Sequence, residues 1–317
     1  MKNTPLLHQK LLFFTGKGGV GKTTSALATA VFLAKKGQKT LVISTDPAHS
    51  IADGLQQDMG NDITPIPEIP QLYALQIDAK QQYENFIQEH QSALRQIFET
   101  SSHLDQEDIS AILNTQIPGI DEVMSFHAIL QHSASGAFDK IVVDTAPTGH
   151  ALRMLEFPEL LDDWIKVIAG LRRKYLYMVK RFNQGQKPRD EGDELTLKLK
   201  KMVKNIRKKL QNHEEVAFHI VLLAEKMVVS ESFRLFEKLR KSGVCISFLI
   251  ANQIIDPKEQ HPFLKRKSLQ QQKYLAEIKT QFELPIYHIP LMDTEVCGLE
   301  SLSQLSQQIY QKNPSIK

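Results

Sequence analysis

Short apolar runs alternate with helical patterns along most of the chain. An apolar run at 10–15 is followed by an alanine-rich helical pattern at 23–36 and by a second apolar run at 40–44. This order predicts a strand, a helix and a second strand. Further apolar runs occur at 72–77, 140–143, 216–224, 246–251 and 286–289. Because strands that alternate with helices form parallel sheets, we expect an α/β fold with a doubly wound, mostly parallel sheet.

Two longer stretches, 79–133 and 160–213, each contain several helical patterns and no apolar run that would predict a strand. We interpret them as a helical subdomain inserted into the sheet domain. The chain has 317 residues, a length that suits one large domain with an insertion. We therefore expect one domain over 1–317, with the helical subdomain contributed by about 79–133 and 160–213.

The basic residues are concentrated in the second helical stretch. From Lys166 through Leu210 there are 15 Lys and Arg and four acidic residues, a net charge of +11. The whole chain carries only +3, so the remainder is at −8. A solvated basic helix face is one interpretation, and attraction to an anionic membrane surface or an acidic partner is the other. We expect no nucleic-acid partner.

Composition and cysteine content exclude several classes of protein. The chain is 42% hydrophobic and 24% charged, which excludes disordered, collagenous and coiled-coil proteins. Cys245 and Cys297 are far apart and form no CxxC pair, so we expect neither a disulfide scaffold nor a cysteine zinc site. The first residues have no pattern of a secretory signal, and the longest uncharged apolar stretch, 243–255, is too short to span a bilayer. These features predict a cytoplasmic location.

The glycine-rich segment at 16–23 matches the pattern GxxxxGK[ST] between a predicted strand and a predicted helix. Such a loop points backbone N–H groups at a polyphosphate, while Lys22 neutralises phosphate oxygens and the Thr23 hydroxyl coordinates Mg²⁺. The sequence therefore predicts a P-loop for a nucleoside triphosphate with Mg²⁺. The predicted phosphate-binding residues are Gly16, Lys17, Gly18, Gly19, Val20, Gly21, Lys22, Thr23 and Thr24.

The same loop also matches the dinucleotide pattern GxGxxG, through Gly16, Gly18 and Gly21, and Asp46 lies where a ribose-binding carboxylate would be expected. Dinucleotide binding is therefore an alternative. It is the less favoured one, because pyrophosphate binding does not need Lys22 followed by Thr23, whereas phosphoryl chemistry at a metal needs both.

Two acidic residues follow predicted strands, where side chains face the ligand crevice of a parallel sheet. Asp46 is a candidate to orient the attacking water, although an Asp before Pro47 is also a common turn residue. Asp144 directly follows the run at 140–143 and is a candidate to hold the hydration shell of Mg²⁺. The loop after it, which contains Pro147, Gly149 and His150, is predicted to act as a switch that senses the γ-phosphate.

The segment KGGVGKT at 17–23 resembles the deviant P-loop of dimerising ATPases, and TDPAHS at 45–50 and DTAPTGHALRML at 144–155 narrow the resemblance to the ArsA family. This family comprises arsenite-pump ATPases and the GET-pathway targeting factors for tail-anchored membrane proteins. The resemblance covers about residues 10–310 and implies a P-loop NTPase fold and a homodimer. It also implies that Lys17 is catalytic and reaches the partner's nucleotide.

By the same resemblance, Glu225 contacts the nucleotide or the partner subunit, and Asn252 recognises adenine. A loop over the base is formed by Pro290, Leu291, Met292, Asp293, Thr294, Glu295, Val296 and Cys297. The sequence departs from the family in two respects. It lacks the CxxC pair of zinc-bridged members, so we expect no zinc, and it lacks a thiol trio for trivalent arsenic.

Apolar positions 161, 164, 165, 168, 171 and 175 follow helical spacing in the basic stretch. They form either a core face or a groove that holds a partner's apolar helix. We therefore favour an ATPase that controls binding of a hydrophobic segment of a membrane protein. One alternative is the ATPase subunit of an arsenite or anion efflux pump, whose partner is a membrane pump subunit. The other is a nucleotide switch without a transport function.

Overall fold

An eight-stranded sheet forms the centre of the described fold. The computed structural model describes residues 7–46, 50–60, 62–94, 120–145 and 191–312. The strand order is β3-β4-β2-β5-β1-β6-β7-β8. The strands are β1 (Leu11–Thr15), β2 (Thr40–Ser44), β3 (Thr64–Pro65), β4 (Leu72–Gln76), β5 (Lys140–Asp144), β6 (Val216–Leu223), β7 (Ile246–Ile254) and β8 (Ile286–Pro290). All neighbouring strands are parallel except β3 and β4, which confirms the predicted mostly parallel α/β sheet.

The three central strands are buried along their whole length. Every residue of β1, β2 and β5 is buried, which explains why these strands are nearly continuous apolar runs rather than alternating ones. In the sheet register, Asp144 is opposite Phe14 of β1 and Ser44 of β2. The carboxyl ends of these three strands therefore lie at one edge of the sheet.

Helices connect most of the strands. They are α1 (Lys22–Lys35), α2 (Ser50–Leu55), α3 (Ala79–Glu89), α4 (Ile120–Ala134), α5 (Glu191–Leu210), α6 (Lys226–Lys241), α7 (Pro262–Phe282) and α8 (Gly298–Gln307), followed by a π-helical turn (Gln308–Lys312). Almost all of α1 is buried. The buried hydroxyl groups of Thr29 and Tyr310 are hydrogen-bonded at 2.7 Å, so α1 is anchored to the end of the described chain.

Two features differ from the strands that the apolar pattern predicts. The short β3 pairs antiparallel with β4, and its two residues are too few for a periodicity to reveal. β7 extends to Ile254 instead of ending at Ala251. The register shifts between Ala251 and Ile254, and Gln253 has a positive φ of 58°. The strand therefore continues irregularly through the polar residues Asn252 and Gln253.

The chain divides into two compact units. In its described residues, the first unit consists of 7–46, 50–60, 62–78, 129–145 and 209–312 and contains the whole sheet. The second unit consists of 79–94, 120–128 and 191–208 and is helical in most of these residues. The predicted arrangement, one domain with a helical insertion, stays a prediction.

Helix α5 of the second unit has two distinct faces. Leu195, Leu199, Val203 and Ile206 are buried at helical spacing, and the other face is basic and exposed. The exposed basic residues are Lys198, Lys200, Lys201, Lys204, Arg207 and Lys208. Leu197, which lies on that face, is 57% exposed. The predicted apolar groove positions at 161–175 lie outside the described residues.

No helix in the described ranges is long and apolar enough to cross a membrane.

Candidate functional site

The site is built at the edge of the sheet where β1, β2 and β5 end. The P-loop follows β1, Asp46 follows β2, and Asp144 is the last residue of β5. Hydrogen bonds also connect β5 and β1 at this edge, beyond the last residue of β5. Thr145 donates to the Phe14 carbonyl oxygen from its amide nitrogen at 3.2 Å and from its hydroxyl at 2.8 Å. The segments that carry the predicted phosphate, water and metal groups therefore lie side by side.

Glycine is required at two P-loop positions because other atoms approach closely. A Cβ atom on Gly16 would lie 2.2 Å from the backbone oxygen of Val221. A Cβ atom on Gly21 would lie 2.3 Å from Nδ2 of Asn252, and Gly21 has a φ of 94°. Such a φ is strained for any residue with a side chain. The loop is therefore packed against β6 and β7 and turns directly into α1 at Gly21.

Thr23 and Asp144 form the centre of the predicted metal site. The Thr23 hydroxyl donates to Oδ2 of Asp144 at 2.7 Å, and Asp144 is fully buried. Hydroxyl and carboxylate oxygens are the hard ligands that Mg²⁺ prefers, and Mg²⁺ at such sites is completed by water and phosphate oxygens. Within the described residues there is no group of three or more His, Cys, Asp or Glu side chains that would hold a metal by itself. This donor set fits a Mg²⁺ ion that arrives with a nucleotide.

Lys22 is the first residue of α1 and lies near two acids. Its side chain is buried, with 6% of the residue exposed, and Nζ donates to the backbone oxygen of Lys17 at 3.1 Å. Burial lowers the pKa of Lys22, while the nearby Asp144 and Asp46 carboxylates act in the opposite direction. The ammonium group thus already interacts with the two acids that the sequence assigned to the reaction.

The backbone of Asp46 is fixed on both sides. Its amide donates to Oγ of Ser44 at 3.0 Å, and its carbonyl oxygen accepts from Nε2 of Gln76 at 2.7 Å. Sequence reasoning missed Gln76, although a polar residue near the end of the apolar run at 72–77 was a usable signal. Gln76 connects the β4 end to the residue that is predicted to position water.

Lys17 does not point away from its own chain in this structure. Its Nζ lies 3.1 Å from Oε2 of Glu231, in α6. Sequence reasoning missed Glu231, because a single Glu in an amphipathic helix carries no distinguishing signal. The predicted reach of Lys17 to a second chain is not tested by a single chain and stays a prediction.

Asn252 contacts the P-loop directly. Its Nδ2 donates to the Val20 carbonyl oxygen at 2.9 Å, and its Oδ1 accepts from the Gln253 amide at 2.8 Å. The side chain therefore holds the loop in place, and the predicted contact with adenine stays a prediction. Glu225 is exposed, with extended backbone, immediately before α6.

The predicted base loop, 290–297, begins at the last residue of β8 and ends directly before α8. Its start is fixed by a hydrogen bond of 2.9 Å from the Leu291 amide to the Ile254 carbonyl oxygen. Its end is fixed through Cys297, whose sulfur accepts from Nε2 of Gln56 at 3.5 Å. Because β8 is parallel to the other strands of this half of the sheet, the loop lies at the same edge as the P-loop. The predicted switch residues Pro147, Gly149 and His150 lie outside the described residues.

Comparisons with known proteins agree on one family. The family described as anion-transporting ATPase, ArsA_ATPase, matches residues 9–311. The chain is 34% identical to the ATPase GET3B of Arabidopsis thaliana over 95% of this chain and 79% of the relative. It is 31% identical to a protein named as a candidate arsenical pump-driving ATPase of Chlorobaculum tepidum, over 95% of this chain and 75% of the relative. It is 30% identical to the ATPase get3 of Schizosaccharomyces pombe, over 95% of this chain and 91% of the relative.

These matches agree with the fold and with the motifs at the sheet edge. The family match includes the P-loop, Asp46, Asp144 and the segment that contains Asn252. The matched relatives are named as ATPases, and the mostly parallel sheet with its P-loop is consistent with that activity. The chain is therefore an ATP-hydrolysing enzyme that belongs to the ArsA family of ATPases.

Proposed function

We propose that the chain is a homodimeric, Mg²⁺-dependent ATPase whose nucleotide-driven opening and closing control the binding of a hydrophobic segment of a membrane protein. The observation that carries the catalytic part is the 2.7 Å contact between the Thr23 hydroxyl and the buried Asp144 carboxylate, next to Lys22. The relatives named GET3 support the targeting part.

The residues at the sheet edge divide the work of hydrolysis, in which ATP and water give ADP and phosphate. The P-loop amides and Lys22 bind the phosphates, and Thr23 and Asp144 hold the metal, the latter through water. Bound Mg²⁺ supplies charge neutralisation at the phosphate oxygens. Asp46 orients the attacking water, and Asn252 and the base loop hold the nucleoside.

The surface around Lys17 supports the proposed homodimer. Lys17 and Glu231 are partly exposed, and Met227, one helical turn before Glu231 on α6, is 74% exposed. A large exposed apolar side chain on the same helix face as the Lys17 contact supports an interface there. In the dimer, Lys17 of one chain stabilises the charge that develops on the other chain's nucleotide.

The client site is proposed for the helical subdomain that the sequence predicts, which includes the apolar positions at 161–175. The exposed basic face of α5 supports an approach to an anionic membrane surface, because each Lys or Arg near such a surface contributes about 1 kcal/mol. A targeting factor of this kind works in the cytoplasm, as the cysteine content suggests.

An arsenite or anion pump ATPase is the second candidate, supported by the name of the Chlorobaculum relative. Against it, Cys245 lies next to the amino end of β7 and Cys297 follows β8 at the carboxyl edge of the sheet. Parallel strands place those two ends at opposite edges, so the two free cysteines of one chain do not form a joint thiol site. A nucleotide switch without transport remains the third candidate.

The test is ATPase turnover and molecular mass of the purified protein, with and without trivalent arsenic, and with a purified hydrophobic helix peptide. We expect a dimer that depends on nucleotide, turnover unaffected by arsenic, and retention of the peptide only by protein that holds nucleotide. Lys17→Ala should abolish turnover and spare nucleotide binding, with Lys258→Ala as an exposed control. Strong stimulation by arsenic, lost in Cys245→Ala and Cys297→Ala, would instead establish the pump subunit. Dimerisation with neither response would establish the switch.

A further inference from the structure

The ion pair between Lys17 and Glu231 joins the P-loop to α6 within one chain. The two charged atoms are 3.1 Å apart, and the side chains are 36% and 31% exposed. Glu231 lies in the second turn of α6. A lysine whose proposed role is on another chain is therefore held by an acid of its own chain.

The exposure of both side chains makes this ion pair easy to break. Ion pairs with this exposure are weak and are screened by salt. The phosphates of a nucleotide carry more negative charge than one carboxylate, so they compete well for the same ammonium group. Lys17 is also preceded by Gly16 and followed by Gly18 and Gly19, which leave its backbone free to reorient.

A second contact connects this pair to the arrival of phosphate. Nζ of Lys22, the phosphate-binding lysine, donates to the backbone oxygen of Lys17 at 3.1 Å. Phosphate oxygens that take the Lys22 ammonium remove this restraint on the Lys17 backbone. Nucleotide binding therefore loosens Lys17 at its main chain while Glu231 still holds its side chain.

We propose that Glu231 is a positioning residue that holds Lys17 on its own chain and that this pair opens before Lys17 acts on the nucleotide of a second chain. The inference rests on the proposed trans role of Lys17. The pair within one chain competes with the contact between chains for the Lys17 side chain. The pair therefore raises the protein concentration that the ATPase needs for activity. Removing the Glu231 charge lowers the protein concentration at which the ATPase becomes half-active, without changing turnover at saturating protein.

The experiment measures turnover per chain as a function of protein concentration for the original chain and for the variants Glu231→Gln and Glu231→Asp. Glu237→Gln is the matched control, because Glu237 lies on the same helix and pairs with Arg240 at 3.7 Å. We expect the half-activating concentration of Glu231→Gln to fall about two- to fivefold, the range that an exposed ion pair supports. The control should keep the original value, and Glu231→Asp should lie between.

Salt provides a readout that a merely structural role would not change. Raising the salt to about 1 M screens the pair, so the half-activating concentrations of the original chain and Glu231→Gln should converge. A Glu231→Gln variant that folds and has an unchanged or higher half-activating concentration would overturn the inference. So would a difference that persists at high salt.

Failure of the inference is distinguishable from failure of the proposed function. Turnover that is independent of protein concentration and survives Lys17→Ala removes the trans role itself. Turnover that depends on concentration and is lost in Lys17→Ala, but is unchanged in Glu231→Gln, removes only the role of Glu231.

Discussion

We expect His219 to make the folded sheet less stable in acid. Its ring is fully buried in β6 and stacks on Phe248, with 4.0 Å between ring centroids, and it lies 5.0 Å from the ring of Phe14. Neither ring nitrogen has a hydrogen-bond partner in the described part of the chain. Burial lowers the pKa of His219 from 6.5 to about 3.

The sign and size of the effect follow from proton binding. Between pH 6.5 and about 3, the unfolded chain binds a proton on this residue that the folded chain does not bind, so the free energy of unfolding falls as the pH falls. Each pKa unit corresponds to about 1.4 kcal/mol. From pH 7.5 to pH 5, this single group should therefore lower the free energy of unfolding by about 2 kcal/mol.

The assay is urea unfolding followed by far-UV circular dichroism at both pH values, for the original chain and for His219→Leu. The leucine variant should lack this loss of about 2 kcal/mol between pH 7.5 and 5, whatever its stability at neutral pH. His213→Leu changes an exposed histidine and controls for the general effect of removing an imidazole. Equal pH dependence of the original chain and His219→Leu would show that the ring is protonated inside the fold, and the reasoning would be wrong.

Three further predictions concern the site and its support. Asp46→Asn should retain ATP, lower turnover by about 10²-fold or more and favour the closed dimer in size-exclusion chromatography; rapid hydrolysis would remove Asp46 from the reaction. Gly16→Ala should lose nucleotide binding, measured by calorimetry, because its Cβ atom would lie 2.2 Å from the Val221 oxygen; near-normal affinity would contradict the packing argument. Lys140→Met should cost about 1–3 kcal/mol in urea unfolding, because Nζ donates to the carbonyl oxygens of residues 7–9 at 2.7 Å each; an unchanged midpoint would show that these bonds add nothing to stability.

Much of the fold was readable from the sequence because its signals are local. The buried central strands are continuous apolar runs, and their observed bounds differ from the predicted ones by about one residue, as at β1 and β5. The P-loop was readable because its glycines, Lys22 and Thr23 lie within one short segment. The antiparallel β3 and the turn at Gln253 could not be predicted from the sequence, because a strand of two residues and a single positive φ produce no periodic pattern.

The sequence by itself determined the sheet, the loop and the residue types that the reaction needs, since each depends on spacing along the chain. The tertiary structure decided which of those residues meet. Thr23 and Asp144 are 121 positions apart, and Asn252 and Val20 are 232 apart, yet each pair is in contact because parallel strands bring their carboxyl ends to one edge. The contact between Lys17 and Glu231 also exists only in the fold, because it depends on where α6 packs and not on any pattern within α6.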